Sequence, residues 1–284
     1  MPITYNFFQY LLDVFMQNLH NMPMMNETRE IRQRQLKTFP IVLKSVSLIT
    51  PGVKHFVFGL EKNAEGESFS YVAGQFITLH FEKEGQMLHR SYSVACAPVF
   101  FDDNQCIEFA AGYVDNGAAS ELLFNLKPGD SLNATGPFGR LILKEETPKR
   151  YIFVSTSTGV TPFRAMLNNL AERFVSHPEL QVVLLQGVQH REDLLYKDDF
   201  VSFSRKYPQF TFYACYSREQ SAVLESYESL GYVQKHFPHI HLNPHEDVVY
   251  LCGNPHMIDE AFLTLKESAF EPRNIFREKY ISSK

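Results

Sequence analysis

Residues 151–167, YIFVSTSTGVTPFRAML, pass from an apolar run with strand character into an amphipathic helical segment through Ser155-Thr156-Ser157-Thr158-Gly159-Val160-Thr161-Pro162. A strand that feeds a helix through small residues leaves the first helical N–H groups unpaired. They point outward at the positive end of the helix dipole, where an anion such as phosphate is stabilised. The stretch has one glycine where the G-x-G-x-x-G dinucleotide fingerprint has three, and it lacks the Gly-Lys-Ser/Thr ending of a P-loop. Alone it reads equally as a phosphate cradle or as a capped strand-to-helix junction. Thr161-Pro162 suits a helix start, because the first helical position tolerates proline.

Other reactive side chains narrow the chemistry. Cys96, Cys106, Cys215 and Cys252 form no CxxC pair and no iron–sulfur spacing, so any cluster belongs to another chain. Reduced thiols fit a cytoplasmic protein. His236, His239, His241 and His245 crowd HFPHIHLNPH. This stretch reads as a proline-broken loop before a strand, without the Cys or carboxylate partners of a metal site, and no metal is assigned.

These groups need elements to hold them. A chain of 284 residues has room for two domains of ordinary size. Hydrophobic residues at 44% and charged residues at 21% describe a soluble globular protein. The net charge of -5 argues against nucleic acid as the main partner, while a local basic patch would still suit an acidic protein. Residues 1–40 predict an N-terminal extension with a helix: Phe7, Phe8, Leu11, Leu12, Phe15 and Leu19 recur at helical spacing. The helix is too polar and short to span a bilayer and has no basic lead, so it reads as a docking helix rather than a signal, and no function is assigned to the segment. Over 41–146, short β-rich runs broken by Pro and Gly predict an antiparallel barrel. Over 147–284, four apolar strands alternate with helical segments at 161–174, 192–207, 232–237 and 255–270. That pattern predicts an α/β domain with a parallel sheet and nucleotide chemistry at the carboxyl ends of its strands.

Arg90-Ser91-Tyr92-Ser93, preceded by Gly74-Gln75-Phe76, resembles the R-x-Y-S flavin motif of the ferredoxin–NADP reductase family. The likeness continues in Asn116-Gly117-Ala118-Ala119-Ser120, Lys127-Pro128-Gly129-Asp130, Gly136-Pro137-Phe138-Gly139, the turn at 155–162, and Cys252-Gly253-Asn254-Pro255-His256-Met257. It runs from residue 41 to the C-terminus, and the order and spacing of the motifs carry it. The resemblance implies an FAD-binding barrel, an NADP(H)-binding α/β domain, and a hydride exchanged between the two cofactors. It also implies ferredoxin or flavodoxin as single-electron carrier. Alternatives are an oxygenase reductase component, a free-flavin reductase, or a flavin-binding regulatory subunit without catalysis.

The resemblance also assigns residues. Tyr92 would lay its ring on the isoalloxazine, and Arg90 would neutralise the pyrophosphate. Ser91 would point away. Ser93, expected on the same strand face as Tyr92, would hydrogen-bond flavin N5. Gly117, Ala119 and Ser120 would offer a helix N-terminus to the pyrophosphate. Thr158, Gly159 and Pro162 match the turn that receives the nicotinamide nucleotide, with Ser157 where the family usually has glycine. Cys252 is expected at the carboxyl end of its strand, facing the flavin, where it either positions the nicotinamide or is an ordinary core cysteine. Glu278 and Tyr280 match the family's ending, in which an aromatic covers the flavin, and they read equally as the tip of an edge strand. Ser217 and Arg218 resemble the pair that holds the 2′-phosphate, with Leu230 where plant-type members carry a Lys. Tyr232 is placed to stack on adenine, beside Gln234.

Overall fold

Alternating apolar and polar residues drive the first half of the chain into strands. The computed structural model describes residues 37–60, 69–98, 105–220 and 223–281. The helix expected over residues 5–19 lies outside them. Six antiparallel strands, β1 (Lys37–Thr50), β2 (Val53–Leu60), β3 (Phe76–Lys83), β4 (Gln86–Ser93), β5 (Cys106–Gly112) and β6 (Ser131–Phe138), form one sheet in the order β4-β3-β6-β1-β2-β5. Inward positions alternate as strand geometry requires, and Phe56, Phe58 and Phe109 stack in the interior with no exposed surface. The sheet curls until its edges meet: just past β4, the Ala95 N–H donates to the Glu108 carbonyl on β5 at 2.7 Å. Helix α1 (Ala118–Asn125) follows β5. This is the expected barrel.

The second half is a parallel sheet of six strands, β7 (Arg150–Thr156), β8 (Gln181–Val188), β9 (Phe210–Tyr216), β10 (Glu228–Leu230), β11 (Asp247–Gly253) and β12 (Ile275–Lys279). Its order is β10-β9-β8-β7-β11-β12. Helices α2 (Thr161–Ala165), α3 (Leu167–Ser176), α4 (Lys197–Lys206) and α5 (Pro255–Glu267) connect the strands. Tyr151, Ile152, Phe153 and Val154 are all fully buried, the mark of a central strand covered on both faces. Phe163 of α2 stacks on Phe153 with ring centroids 4.6 Å apart, which seats the turn before α2 on the sheet. Truncating either ring costs about 3–5 kcal/mol. The chain proceeds outward from β7 through β8, β9 and β10, then returns to place β11 on the other side of β7. The carboxyl ends of β7 and β11 therefore flank the switch point where ligands bind in such sheets.

Three helical expectations are corrected. The helix predicted over 161–174 is two helices meeting at Met166. The one predicted over 192–207 starts only at Lys197, because Tyr196 adopts a left-handed φ of 55°. The segment 232–237 is a single 3-10 turn, Val233–His236. No helix among the described residues is long and apolar enough to cross a membrane.

Candidate functional site

A cleft of about 1290 Å³ opens at the switch point, between the barrel wall and the carboxyl ends of the parallel strands. It exceeds the roughly 300–1,000 Å³ that holds one drug-sized ligand. The barrel side is lined by Arg90, Tyr92, Ser93, Gly117, Ala119 and Ser120, and the opposite side by Thr158, Ser217, Tyr232 and Gln234. Glu278 and Tyr280 stand between them.

On the barrel wall, Tyr92 stacks on Phe109 with centroids 4.8 Å apart, so its ring is held in place before any ligand arrives. Burial pushes its phenol up to about 12. Arg90 donates from Nη1 to the carbonyl of its neighbour His89 at 2.8 Å, and makes no ion pair among the described residues. An uncompensated guanidinium on a cleft wall suits an anion. Ser93 is 4% exposed. It does not share a strand face with Tyr92, because successive strand residues alternate: Tyr92 meets Phe109, while Ser93 meets Glu278 and Tyr280. Both line the cleft because Ser93 is the last residue of β4. Ser91 shares its hydroxyl contact with Thr78 at 3.0 Å, yet also reaches the cleft rim.

The N-terminus of α1 is capped by no side chain. Gly117 permits this approach, since a Cβ there would stand 3.0 Å from the Val114 carbonyl oxygen. Ser120 Oγ accepts the Val114 N–H at 2.8 Å, which leaves its own proton to give. An uncapped helix start, a free guanidinium and a ring backed by another ring together fit the FAD that the sequence implies.

On the opposite wall the chain turns through the 3-10 residues Ser157–Val160 into α2. Ser157 has φ 49°, a left-handed conformation that a glycine adopts without strain. Thr158 faces the cleft, and its carbonyl accepts the Thr161 hydroxyl at 2.6 Å. Gly159 and Pro162 do not line the cleft. Gly159 abuts the end of β11, where a Cβ would lie 2.4 Å from the Cys252 carbonyl oxygen, and Pro162 is buried at the start of α2. Both shape the turn and touch nothing in the cleft. Ser217 donates to the Val188 carbonyl at 3.2 Å. Arg218 is exposed on the rim, beyond the lining. Glu219 accepts the backbone N–H groups of Arg191 and Gln220. Tyr232 is 60% exposed, an unburied ring on a cleft wall. Gln234 Nε2 donates to Glu260 at 2.8 Å, while its Oε1 is buried without a partner among the described residues.

Four side chains from three distant segments converge between the walls. Tyr280 donates to Ser93 Oγ at 2.5 Å, and Ser93 donates to Glu278 Oε1 at 3.0 Å. Cys252 is fully buried behind Tyr280, in hydrogen-bond contact with its hydroxyl, and does not itself line the cleft. Burial, with Glu278 adding to it, pushes the Cys252 thiol far above its usual range. Burial also pushes the Glu278 carboxyl up to about 7. The tip of the edge strand and a residue in the cleft are one and the same: Tyr280 follows β12, and its N–H donates to the Gly253 carbonyl at 2.8 Å.

Sequence reasoning passed over Phe109, Glu108 and Arg164. Phe109 was visible as an inward position of IEFAAGYV, but nothing local pairs it with Tyr92. Among the described residues no group of three or more His, Cys, Asp and Glu is arranged to hold a metal.

Residues 40–142 match the oxidoreductase FAD-binding domain family, and residues 153–262 the oxidoreductase NAD-binding domain family. Ferredoxin–NADP reductase B of Sorangium cellulosum is 31% identical over 234 residues, spanning 79% of this chain and 89% of that protein. The toluate 1,2-dioxygenase electron transfer component of Pseudomonas putida is 30% identical over 223 residues, 78% of this chain. The chain spans only 62% of that relative's length. A ferredoxin NADP+ reductase from Neisseria gonorrhoeae, solved with bound FAD and NADP, shares the fold with a TM-score of 0.69 at 24% identity. That likeness covers 87% of this chain and 99% of that one.

Proposed function

The chain belongs to the ferredoxin–NADP reductase family of flavoprotein oxidoreductases, and from that premise we propose that it passes electrons between NADP(H) and a one-electron carrier protein, ferredoxin or flavodoxin. FAD supplies the conversion between a hydride and single electrons. Residues 41–146 form its domain and residues 147–284 that of NADP(H). Arg90 and the start of α1 hold the pyrophosphate, and Tyr92, braced by Phe109, supports the ring system. Thr158 meets the nicotinamide half of the second nucleotide, and Ser217, Arg218, Tyr232 and Gln234 its adenosine half.

The observation that carries this reading is the convergence of Ser93, Cys252, Glu278 and Tyr280 at the point where the two walls meet. Tyr280, backed by Cys252, defines how deep a planar ring enters, and Ser93 offers a hydroxyl at that depth. A preference for NADP(H) is supported by the local charges: Arg218 has no ion pair among the described residues, and the nearby Glu219 carboxylate accepts hydrogen bonds from backbone N–H groups. An NAD site would instead present a carboxylate to the ribose 2′-OH.

The test is direct. Purified protein should be yellow, release FAD on denaturation as identified by mass, and reduce cytochrome c with NADPH only when ferredoxin or flavodoxin is added. Colourless protein, or reduction of cytochrome c without a carrier, overturns the assignment. A second reading, the reductase component of an oxygenase, draws on the identity with the toluate dioxygenase component. It requires a wild type that favours NADH.

A further inference from the structure

We propose that Arg164 is a positioning residue that fastens the nucleotide-receiving turn to the flavin barrel, so that one side chain rooted in both halves sets how closely the nicotinamide meets the flavin. The inference rests on the reading of the cleft given above and adds to it a residue that does not line that cleft.

Arg164 lies in α2, two residues after Pro162, and its guanidinium reaches into both halves. Nη1 donates to the Ala95 carbonyl at 3.0 Å and to Glu108 Oε2 at 2.7 Å, both in the barrel. Nε donates to Asp199 Oδ2 at 2.6 Å, and the guanidinium carbon lies 4.7 Å from the centroid of the Tyr196 ring, both at the start of α4. Tyr196 makes a second tie, since its hydroxyl is 2.9 Å from His55 Nδ1 on β2, and His55 Nε2 is 3.4 Å from Glu108 Oε2. Hydrogen bonds from His55 and, against the cost of burial, from Arg164 hold the Glu108 carboxyl down at about 2. The left-handed backbone of Tyr196 persists where its surroundings over-determine it.

Two roles compete for such a network, bulk stability and placement. A buried ion pair can often be replaced by apolar residues of like volume without loss of stability, so stability alone is a weak reason for it. A planar fork of donors does what an apolar residue does not: it fixes distance and rotation together. The places it grips favour placement. Ala95 stands two residues beyond Ser93, roughly 7 Å along the chain. Its N–H closes the barrel on Glu108. At the other end, α2 grows directly out of the turn that carries Thr158. A slip in this joint therefore moves Thr158 relative to Ser93, and hydride transfer loses on the order of a hundredfold for a misplacement of about 1 Å.

The experiment uses the flavin-loaded full chain. Arg164→Met keeps the stem and removes every hydrogen bond, Arg164→Lys keeps the charge without the fork, and Asp199→Ala removes the most exposed contact alone. In Arg164→Met, stopped-flow flavin reduction at saturating NADPH should slow about ten- to a hundredfold. Half-saturation should change less than about threefold and flavin content stay at the wild-type level, the pattern of an interaction felt in the transition state. The isotope effect with 4-deuterated NADPH should rise, Arg164→Lys should recover part of the rate, and Asp199→Ala should show a smaller loss in the same step. A folded, flavin-replete Arg164→Met that reduces at the wild-type rate overturns the inference; where that variant does not fold, Asp199→Ala at the wild-type rate does so. A rate loss that only follows lost flavin, with the isotope effect unchanged, also overturns it. Wild-type protein that NADPH does not reduce overturns the functional reading and this inference with it, whereas a normal wild type beside an unaffected variant overturns this inference alone.

Discussion

The Tyr280 hydroxyl donates to Ser93 Oγ across 2.5 Å, although 187 positions separate the two residues. Because Ser93 in turn donates to Glu278, its single proton is committed whenever Glu278 is ionised. A neutral Glu278 can donate instead, and the Ser93 proton is then free for another acceptor in the cleft.

That exchange predicts a pH dependence. Burial raises the Glu278 pKa from 4.5 to about 7, against the opposing hydrogen bond from Ser93. The rate of flavin reduction by NADPH should therefore be highest below about pH 7 and fall as pH rises through it, with Glu278→Gln removing the step. Stability should follow the same sign. A carboxyl whose folded pKa is raised binds more protons folded than unfolded, so it lowers stability progressively between pH 4.5 and about 7. Stopped-flow rates and thermal melts across pH 5–9 check both, and a flat wild-type profile refutes the proton exchange.

Flavin retention should depend on the pair on β4. Loss of the Arg90 charge-assisted contact and of Tyr92 stacking together removes about 2–4.5 kcal/mol, roughly a 30- to 2,000-fold loss of flavin affinity. The double change to Ala should yield largely apo protein, while Tyr92→Phe keeps the ring on Phe109 and should keep the flavin. Absorbance ratios of the purified variants decide this, and stoichiometric flavin in the double variant would sink the assignment.

Cys252→Ala should slow hydride transfer while leaving flavin bound. The thiol is fully buried and supports Tyr280 from behind, so its removal loosens the residue that Ser93 also holds. A loss between a few-fold and about a hundredfold is expected, depending on how far Tyr280 shifts. Stopped-flow reduction by NADPH is the measurement, and an unchanged rate returns Cys252 to core packing.

What the sequence made legible was local. The barrel and the parallel sheet follow from strand-length runs of alternating or continuous apolar residues, and the lining residues from motifs whose spacing survives in one chain. Ser157 could be read as a glycine substitute, and its φ of 49° fits that reading. The helices that failed did so at backbone choices with no apolar signature: the left-handed Tyr196, and the 3-10 turn at 233–236 that follows Gly231 at φ 105°. The joint through Arg164, Glu108 and Asp199 was invisible because its members lie 56 and 35 residues apart. Each reads singly as an ordinary charged residue on a helix or strand face. Pairing of that kind is decided by how the two halves close on each other, which periodicity does not encode.

The enzyme should prefer NADPH to NADH through Arg218. The residue follows β9 directly, after Ser217, where a guanidinium and a hydroxyl at a strand's carboxyl end suit a dianionic phosphate. Its side chain is exposed and makes no ion pair among the described residues, so none of these competes with a ligand for it. Two features limit the size of the effect. Exposure lets water and salt screen the contact, and Leu230, 47% exposed, stands where plant-type members carry a further Lys. Arg218→Ala should therefore raise the Michaelis constant for NADPH by the lower part of the range for a charge-assisted contact, about 1.5–3 kcal/mol or roughly 10- to 150-fold. NADH, which lacks the 2′-phosphate, should be used nearly as before. Steady-state kinetics with both nucleotides at two salt concentrations separates the cases, since the NADPH advantage of the wild type should shrink as salt rises. Equal losses for both nucleotides, or a wild type that favours NADH, would remove Arg218 from the phosphate site and turn the assignment toward an NADH-linked oxygenase reductase.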